Sequence, residues 1–232
     1  MKFILNMTLG RTGSTLVNSI INANLKTPTI SQEISFDYFL NILSSNFRGV
    51  SIEGSLDDYI QKLQKYIISS TQNKYTQTHA HYVYPYKWNN KIKNKTNSND
   101  KKVAYIEYLF SNIFNCDGEY SGCKILIGDM NIKDLIYILN IMVKSENIHI
   151  IYTNRNFDNI CKSRKNKDWS NLSFEEYEIY KHLFEIMQKE NENISIINYE
   201  NIIEDCEIFM NKIGISPNKD IILKTLEKKH SY

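Results

Sequence analysis

The sequence predicts a three-layer α/β/α fold built around a central parallel sheet. Short runs rich in β-branched residues recur along the chain, and each has the length of a buried strand. Segments with apolar residues at helical spacing separate these runs. Because the runs are apolar almost throughout rather than at alternate positions, helices are expected to cover both faces of the sheet.

The predicted elements follow one another in a regular order. The apolar runs predict strands at residues 3–5, 124–127, 148–152 and 194–197. Apolar periodicity predicts helices that begin near residue 14 and after residues 155 and 198, and helices over 55–68, 131–143 and 173–188. The polar, basic stretch 87–102 is expected to form a mobile surface loop or hinge.

Length and charge restrict the class of protein. A chain of 232 residues fits one domain, so a single domain over 1–232 is expected. The 28 basic and 26 acidic side chains leave a net charge of +2, too little to gather nucleic acid non-specifically. No run approaches the ~18 apolar residues of a membrane span, and the apolar run at the start is too short for a signal peptide, so a cytoplasmic protein is expected. Four cysteines without a C-x-x-C pair predict neither a disulfide framework nor a zinc site.

The segment MTLGRTGSTLV, residues 7–17, joins the first strand to the first helix. A tight turn at a helix N-terminus directs unpaired backbone amides and a partial positive charge at one point, which is typical of a phosphate site. Arg11 adds a bidentate cation, and Gly13 allows the backbone to approach a ligand closely. Ser14 stands where nucleoside triphosphatases have lysine, which disfavours phosphoryl transfer. The alternative is an ordinary turn capped by Thr12 or Ser14.

A second candidate anion site follows the third predicted strand, in IHIIYTNRNFDNICKSRKN. Arg155 comes directly after the strand, and Ser163 lies about two turns into the expected helix. Together the two side chains have the chemistry to hold a phosphate against that helix. The alternative is an ion pair between Arg155 and Asp158, with Ser163 exposed to solvent.

Three motifs in this order, the arginine-bearing turn, the strand followed by Arg155 and Ser163, and the final strand followed by Tyr199 and Glu200, resemble the sulfotransferase family. These enzymes use 3′-phosphoadenosine-5′-phosphosulfate (PAPS) and have a P-loop nucleotide-binding fold. The resemblance covers roughly residues 3–215. It is strongest to the carbohydrate and trehalose 2-sulfotransferases, because of TISQEISFDYF (29–39) and KILIGDM (124–130), in which Lys124 is interpreted as the start of a strand.

The resemblance implies that PAPS is the co-substrate and that no metal is needed. By position it assigns the 5′ end of PAPS to the first turn and the 3′-phosphate to the arginine–serine pair. The cofactor-binding residues so implied are Arg11, Thr12, Gly13, Ser14, Thr15, Arg155 and Ser163. Arg11 is also expected to take part in catalysis by stabilising the leaving phosphate. The acceptor would bind against a mostly helical region at about 34–122.

Sulfuryl transfer to a hydroxyl needs a base, and Glu33 is the candidate. It lies after the first helix and a return loop, and relatives with the Gln-Glu segment have their catalytic glutamate here. The alternatives are an exposed loop glutamate without a role, or a histidine base at His79 or His81 in THAHYVY. Asp129, after the second predicted strand, is a candidate for orienting the substrate or the base.

These expectations predict a sulfotransferase that acts on a hydroxyl of a carbohydrate or glycolipid. A P-loop kinase or nucleotide hydrolase is the first alternative, with Asp129 as its only candidate for holding magnesium. A non-catalytic nucleotide-binding module of the same fold is the second. The chain departs from the family pattern in having Phe157 where a proline is usual, and in lacking a C-terminal Arg-Lys-Gly loop.

Overall fold

The computed structural model describes residues 1–27, 30–33, 40, 43–44, 47, 99–114, 118–128, 130–166 and 170–228. The strands are β1 (Lys2–Thr8), β2 (Ile30–Glu33), β3 (Tyr120–Leu126), β4 (Ile148–Asn154) and β5 (Ile194–Asn198). The helices are α1 (Ser14–Asn24), α2 (Asn99–Ile113), α3 (Ile132–Met142), α4 (Phe157–Lys165), α5 (Phe174–Glu190), α6 (Ile202–Ile213) and α7 (Lys219–Glu227). None of these helices is both long and apolar enough to cross a bilayer.

All the strand pairs are parallel, and the strand order in the sheet is β2-β3-β1-β4-β5. The first strand of the chain therefore lies in the middle, with β3 on one side and β4 on the other. Because the strands run in one direction, the segments that follow them all emerge at one edge of the sheet. In such sheets this is the edge at which ligands bind.

Helices cover both faces of the sheet, as the sequence predicts. On one face, Phe3, Leu5 and Met7 of β1 pack in a cluster with buried side chains of α2, α3 and α5. On the other face, Ile4 of β1 packs in a second cluster with buried side chains of α1, α6 and α7. The α/β fold with a parallel sheet is therefore confirmed, and the almost continuous apolar pattern of β1 has its cause in these two clusters.

Three details differ from the sequence-based predictions. The segment Ile30–Glu33, for which the sequence analysis predicts no strand, is a short edge strand beside β3. The strand β3 begins at Tyr120, so Lys124 is inside the strand and the prediction that it starts the strand is wrong. Helix α2 begins at Asn99, inside the stretch 87–102 expected to be a loop. The predicted helix over 55–68 lies outside the described residues.

A glycine accounts for the unrecognised start of β3. Gly122 pairs with Ile4 of β1, and a Cβ atom at this glycine would lie 1.8 Å from the Ile4 carbonyl oxygen. Glycine, which is disfavoured in strands, is therefore the only residue that fits at position 122.

Candidate anion-binding site

The chain after β1 forms a tight turn, residues 9–13, which we call the glycine turn. Gly10, Arg11 and Gly13 have left-handed backbone conformations, with φ of 82°, 61° and 96°. The Thr8 hydroxyl accepts a hydrogen bond from the Gly10 amide at 3.1 Å and shares one of 2.5 Å with the Thr12 hydroxyl. A left-handed arginine is uncommon and costs about 1–3 kcal/mol, and such strained residues are enriched at functional sites.

Helix α1 begins without a side-chain cap. Gly13 is the N-cap residue, and it has no side chain with which to accept from the first amides. The Thr12 hydroxyl is bonded to Thr8 instead. The N-cap position is thus taken by neither Thr12 nor Ser14, so the capping that the alternative expects is absent at this position. The positive end of the helix dipole faces the edge of the sheet at which the other strands end.

A buried polar network fixes the turn to the sheet. The Asn6 amide group donates to the Ser14 carbonyl at 3.2 Å and to the Asn18 side-chain oxygen at 2.7 Å. The Thr153 hydroxyl of β4 donates to the Asn6 side-chain oxygen at 2.6 Å. Asn6, Asn18 and Thr153 are fully buried. The network thus joins β1, the start of α1 and the end of β4 by hydrogen bonds that water does not weaken.

Arg155 follows directly after β4 and lies against Tyr199. Its guanidinium carbon is 4.3 Å from the centre of the Tyr199 ring, within the range of a cation–π contact. The Arg155 Nε is buried and has no hydrogen-bond partner in the structure. Between Arg155 and Asp158, both of which are described, the alternative ion pair does not form. A buried cationic donor of this kind needs an acceptor.

The backbone of Arg155 is held from the opposite side by Tyr177 of α5. The Tyr177 hydroxyl donates to the Arg155 carbonyl oxygen at 3.2 Å. Burial raises the pKa of Tyr177, so this hydroxyl keeps its proton and remains a donor at neutral pH. The direction in which the Arg155 side chain leaves β4 is thereby restrained.

The structure brings the two predicted anion sites into contact. The Arg11 Nε donates to the Ser163 hydroxyl at 3.0 Å, although the two residues belong to different motifs. A Cβ atom at Gly13 would lie 2.2 Å from the Tyr199 ring, the same ring that carries Arg155. Arg11, Gly13, Arg155 and Ser163, predicted from separate segments, therefore form one site. Tyr199, interpreted from the sequence as part of a packing element, contacts both Gly13 and Arg155.

The topology opens a crevice at this point. Helix α1, which follows β1, packs against one face of the sheet, whereas Ile160 of α4, which follows β4, belongs to the cluster on the other face. Because β1 and β4 are neighbours, the chain leaves adjacent strands in opposite directions. In open α/β sheets, ligands bind where neighbouring strands have this arrangement.

Lys124 adds a cation to the site that the sequence interpretation missed. It is buried in β3, where its neighbours in register are Asn6 of β1 and Glu33 of β2. Its Nζ donates to the Thr15 hydroxyl at 3.3 Å. An ammonium group from an adjacent strand therefore reaches the first turn of α1. It lies close to Ser14, the position at which nucleoside triphosphatases have a lysine.

Glu33 ends β2 beside Lys124, so its backbone lies at the same edge of the sheet as the glycine turn. The side chain of Glu33 lies outside the described residues, as do the alternative bases His79 and His81, and Asp129. Among the described residues, no group of three or more histidine, cysteine, aspartate or glutamate side chains has the arrangement of a metal site.

Comparison with models of known families and with curated proteins finds no match to the chain. The site is therefore interpreted from its own geometry. It combines the N-terminus of α1 with five side chains, which are Arg11, Thr15, Lys124, Arg155 and Ser163. This combination is suited to binding an anion with more than one negatively charged group.

Proposed function

We propose that the protein is a sulfotransferase that transfers a sulfuryl group from PAPS to a hydroxyl of a carbohydrate or glycolipid. The observation that carries the proposal is the hydrogen bond between Arg11 and Ser163, supported by Tyr199, which contacts both Gly13 and Arg155. Two anion-binding groups on different elements lie side by side, as a nucleotide with phosphates at both its 5′ and 3′ positions requires. The P-loop type of the fold is part of this proposal.

In the proposed binding mode, Arg11, Thr12, Gly13, Ser14 and Thr15 hold the 5′ end of PAPS. The 3′-phosphate accepts hydrogen bonds from Arg155 and Ser163, which supplies the acceptor that the buried Arg155 Nε lacks. The helix dipole of α1 favours negative charge at the 5′ side. Lys124 provides the positive charge that a lysine at position 14 would supply in a nucleoside triphosphatase.

The proposed reaction is an in-line displacement at sulfur. The acceptor hydroxyl oxygen attacks the sulfur atom while the bond from sulfur to the 5′-phosphate oxygen breaks. The hydroxyl proton passes to the carboxylate of Glu33, which acts as general base, and 3′-phosphoadenosine 5′-phosphate leaves with the bonding electron pair. Arg11 and Lys124 stabilise the charge that develops on the sulfuryl oxygens and on the leaving phosphate.

Ligand-induced stabilisation tests the proposal. We expect 3′-phosphoadenosine 5′-phosphate to raise the melting temperature in the presence of EDTA, and AMP to raise it much less. A ligand at ~100 times its Kd adds about 2.7 kcal/mol to the free energy of unfolding, enough to detect by thermal shift. Equal shifts with AMP would contradict the assigned 3′-phosphate contacts.

Two further outcomes would point to the alternative functions. A shift with ATP that strictly requires magnesium would favour a kinase or nucleotide hydrolase. Binding of PAPS with no sulfated product from a broad panel of sugars and glycolipids would favour a non-catalytic nucleotide-binding module.

A further inference from the structure

Arg164 of α4 connects the glycine turn to the segment that leads to α5. Its Nη1 donates to the Leu9 carbonyl oxygen at 2.8 Å. Its Nε donates to the Ser170 carbonyl oxygen at 2.8 Å, and its Nη2 to the Ser170 hydroxyl at 3.2 Å. One guanidinium on α4 thus holds both the residue that opens the glycine turn and the segment that leads to α5.

The position of Arg164 gives these contacts a particular consequence. Arg164 is the neighbour of Ser163, which belongs to one anion-binding group. The same part of α4 therefore also bonds to the glycine turn, which carries Arg11 of the other group. Arg11 is in a left-handed conformation that a residue with a side chain adopts unfavourably, so the turn depends on contacts from outside. The bond from Arg164 to Leu9 is such a contact.

We propose that Arg164 is a positioning residue that fixes the separation between the two anion-binding groups and so makes the site selective for a ligand with two phosphates at a set spacing. This inference rests on the proposed function. When two sites are held at the spacing of a bivalent ligand, the second contact forms at a high effective concentration. When the spacing relaxes, each site still binds a single phosphate, but the gain from binding both is lost.

The geometry requires arginine at this position. A guanidinium presents its donors in a planar fork, which here spans acceptors on two different segments. A lysine keeps the positive charge but offers one ammonium group that does not span both. The substitution Arg164→Lys therefore separates the loss of positioning from the loss of charge.

The test compares three ligands by isothermal titration calorimetry. They are 3′-phosphoadenosine 5′-phosphate, which is called the bisphosphate below, and the two monophosphates 5′-AMP and 3′-AMP. For Arg164→Lys we expect the ratio of the 5′-AMP Kd to the bisphosphate Kd to fall by at least about tenfold. The Kd values of the two monophosphates should each stay within about twofold of the parent, because each anion-binding group remains intact. Lys165→Met, at an exposed position of the same helix, is the control and should leave all three Kd values unchanged.

Two results would overturn the inference. One is a ratio of the 5′-AMP Kd to the bisphosphate Kd that stays within about twofold of the parent, and the other is a loss of monophosphate affinity as large as the loss of bisphosphate affinity. Should Arg164→Lys not fold, Ser170→Ala removes only the hydroxyl acceptor and should lower the same ratio by roughly threefold, and an unchanged ratio would be equally decisive. A parent protein that binds the bisphosphate no better than 5′-AMP would instead contradict the proposed function. The two failures are therefore distinguishable.

Discussion

Arg155 is the single residue whose loss we expect to weaken cofactor binding most. Arg155→Ala removes a half-buried guanidinium whose buried Nε has no protein acceptor, and it should cost about 2–3 kcal/mol of binding free energy, roughly 30- to 150-fold in Kd. Ser163→Ala removes one neutral hydroxyl and should cost less, about 1 kcal/mol. Calorimetric titration with 3′-phosphoadenosine 5′-phosphate measures both effects.

Lys162 offers a matched control for these two variants. It is an exposed cation on α4, next to Ser163, and Lys162→Ala should change the Kd little because exposed charges are screened by solvent. If Arg155→Ala and Ser163→Ala fold and bind like the parent, the 3′-phosphate site lies elsewhere.

Substitution of Glu33 tests the proposed sulfuryl transfer rather than the binding of PAPS. Glu33→Gln keeps the shape of the side chain but removes the base, so turnover should fall by roughly 100- to 10,000-fold while cofactor affinity stays nearly unchanged. The measurement is sulfate transfer from PAPS to a mixed sugar panel. More than about a third of the parental turnover in this variant would remove Glu33 from the role.

Histidine variants provide the comparison for Glu33. If the carboxylate is the base, substitutions of His79 and His81 should have mild effects. If a histidine is the base, the pattern reverses, and turnover should fall as the imidazole takes up a proton near its ordinary pKa of ~6.5.

At the scale of elements, the contact between β4 and α5 carries an unsatisfied hydroxyl. The rings of Tyr152 and Phe184 stack with centres 4.3 Å apart, and the Tyr152 hydroxyl is buried with no hydrogen-bond partner in the structure. Burial raises the pKa of Tyr152, so the phenol remains neutral. Tyr152→Phe should therefore leave the free energy of unfolding unchanged or raise it by up to about 1 kcal/mol, as urea denaturation would show.

Tyr180 of the same helix is the contrasting control. Its hydroxyl lies 3.1 Å from the carbonyl oxygens of both Ile127 and Met130 and shares its one proton between them, which anchors the turn after β3. Tyr180→Phe should lower the free energy of unfolding by about 1–2 kcal/mol because it leaves buried carbonyl groups without this donor. Equal destabilisation by the two substitutions would contradict the assignment of Tyr152 as unsatisfied.

The elements differ in how well the sequence predicts them, for reasons that lie in their surroundings. The strands β1, β4 and β5 are recognisable because neighbours and helices bury them on both faces, which demands apolar residues. The strand β2 is not, because it is short and partly polar, and its register with β3 is irregular. Its strand conformation depends on a neighbour distant in the sequence, which local patterns do not encode.

The candidate site shows the same division between local and long-range information. The glycine turn and the position of Arg155 after a strand follow from local motifs, and both are present. The bond between Arg11 and Ser163, the approach of Lys124 to Thr15, and the place of Tyr199 arise only when β1, β3, β4 and β5 lie side by side. These contacts join residues of different motifs, so no spacing within a motif reveals them.

The free energy of unfolding of the whole molecule should fall in acid because of His149. It lies near the start of β4, and burial, followed by the charges of Lys2 and Lys212, lowers its pKa to about 4. The unfolded chain has the ordinary pKa of ~6.5, so it takes up the proton first as the pH falls. The contribution of His149 to stability should therefore decline below about pH 6.5 and be fully lost below about pH 4.

Urea denaturation at a series of pH values measures this contribution. The variant His149→Gln does not titrate and should lose less stability between pH 6.5 and 4 than the parent. The same substitution at the exposed His182 on α5, His182→Gln, is the matched control. Identical acid dependence in the parent and in His149→Gln would contradict the prediction.

The central place of β1 in the sheet has a consequence for how the protein is made. The register pairs Lys2 with Tyr120 and Phe3 with Ile148, so β1 acquires its two neighbours only after the long segments that separate it from β3 and β4 have been synthesised. Until then the apolar residues of β1 stay exposed in the nascent chain, and pairing over such distances is slow. Translation therefore creates an interval in which this strand is prone to aggregation.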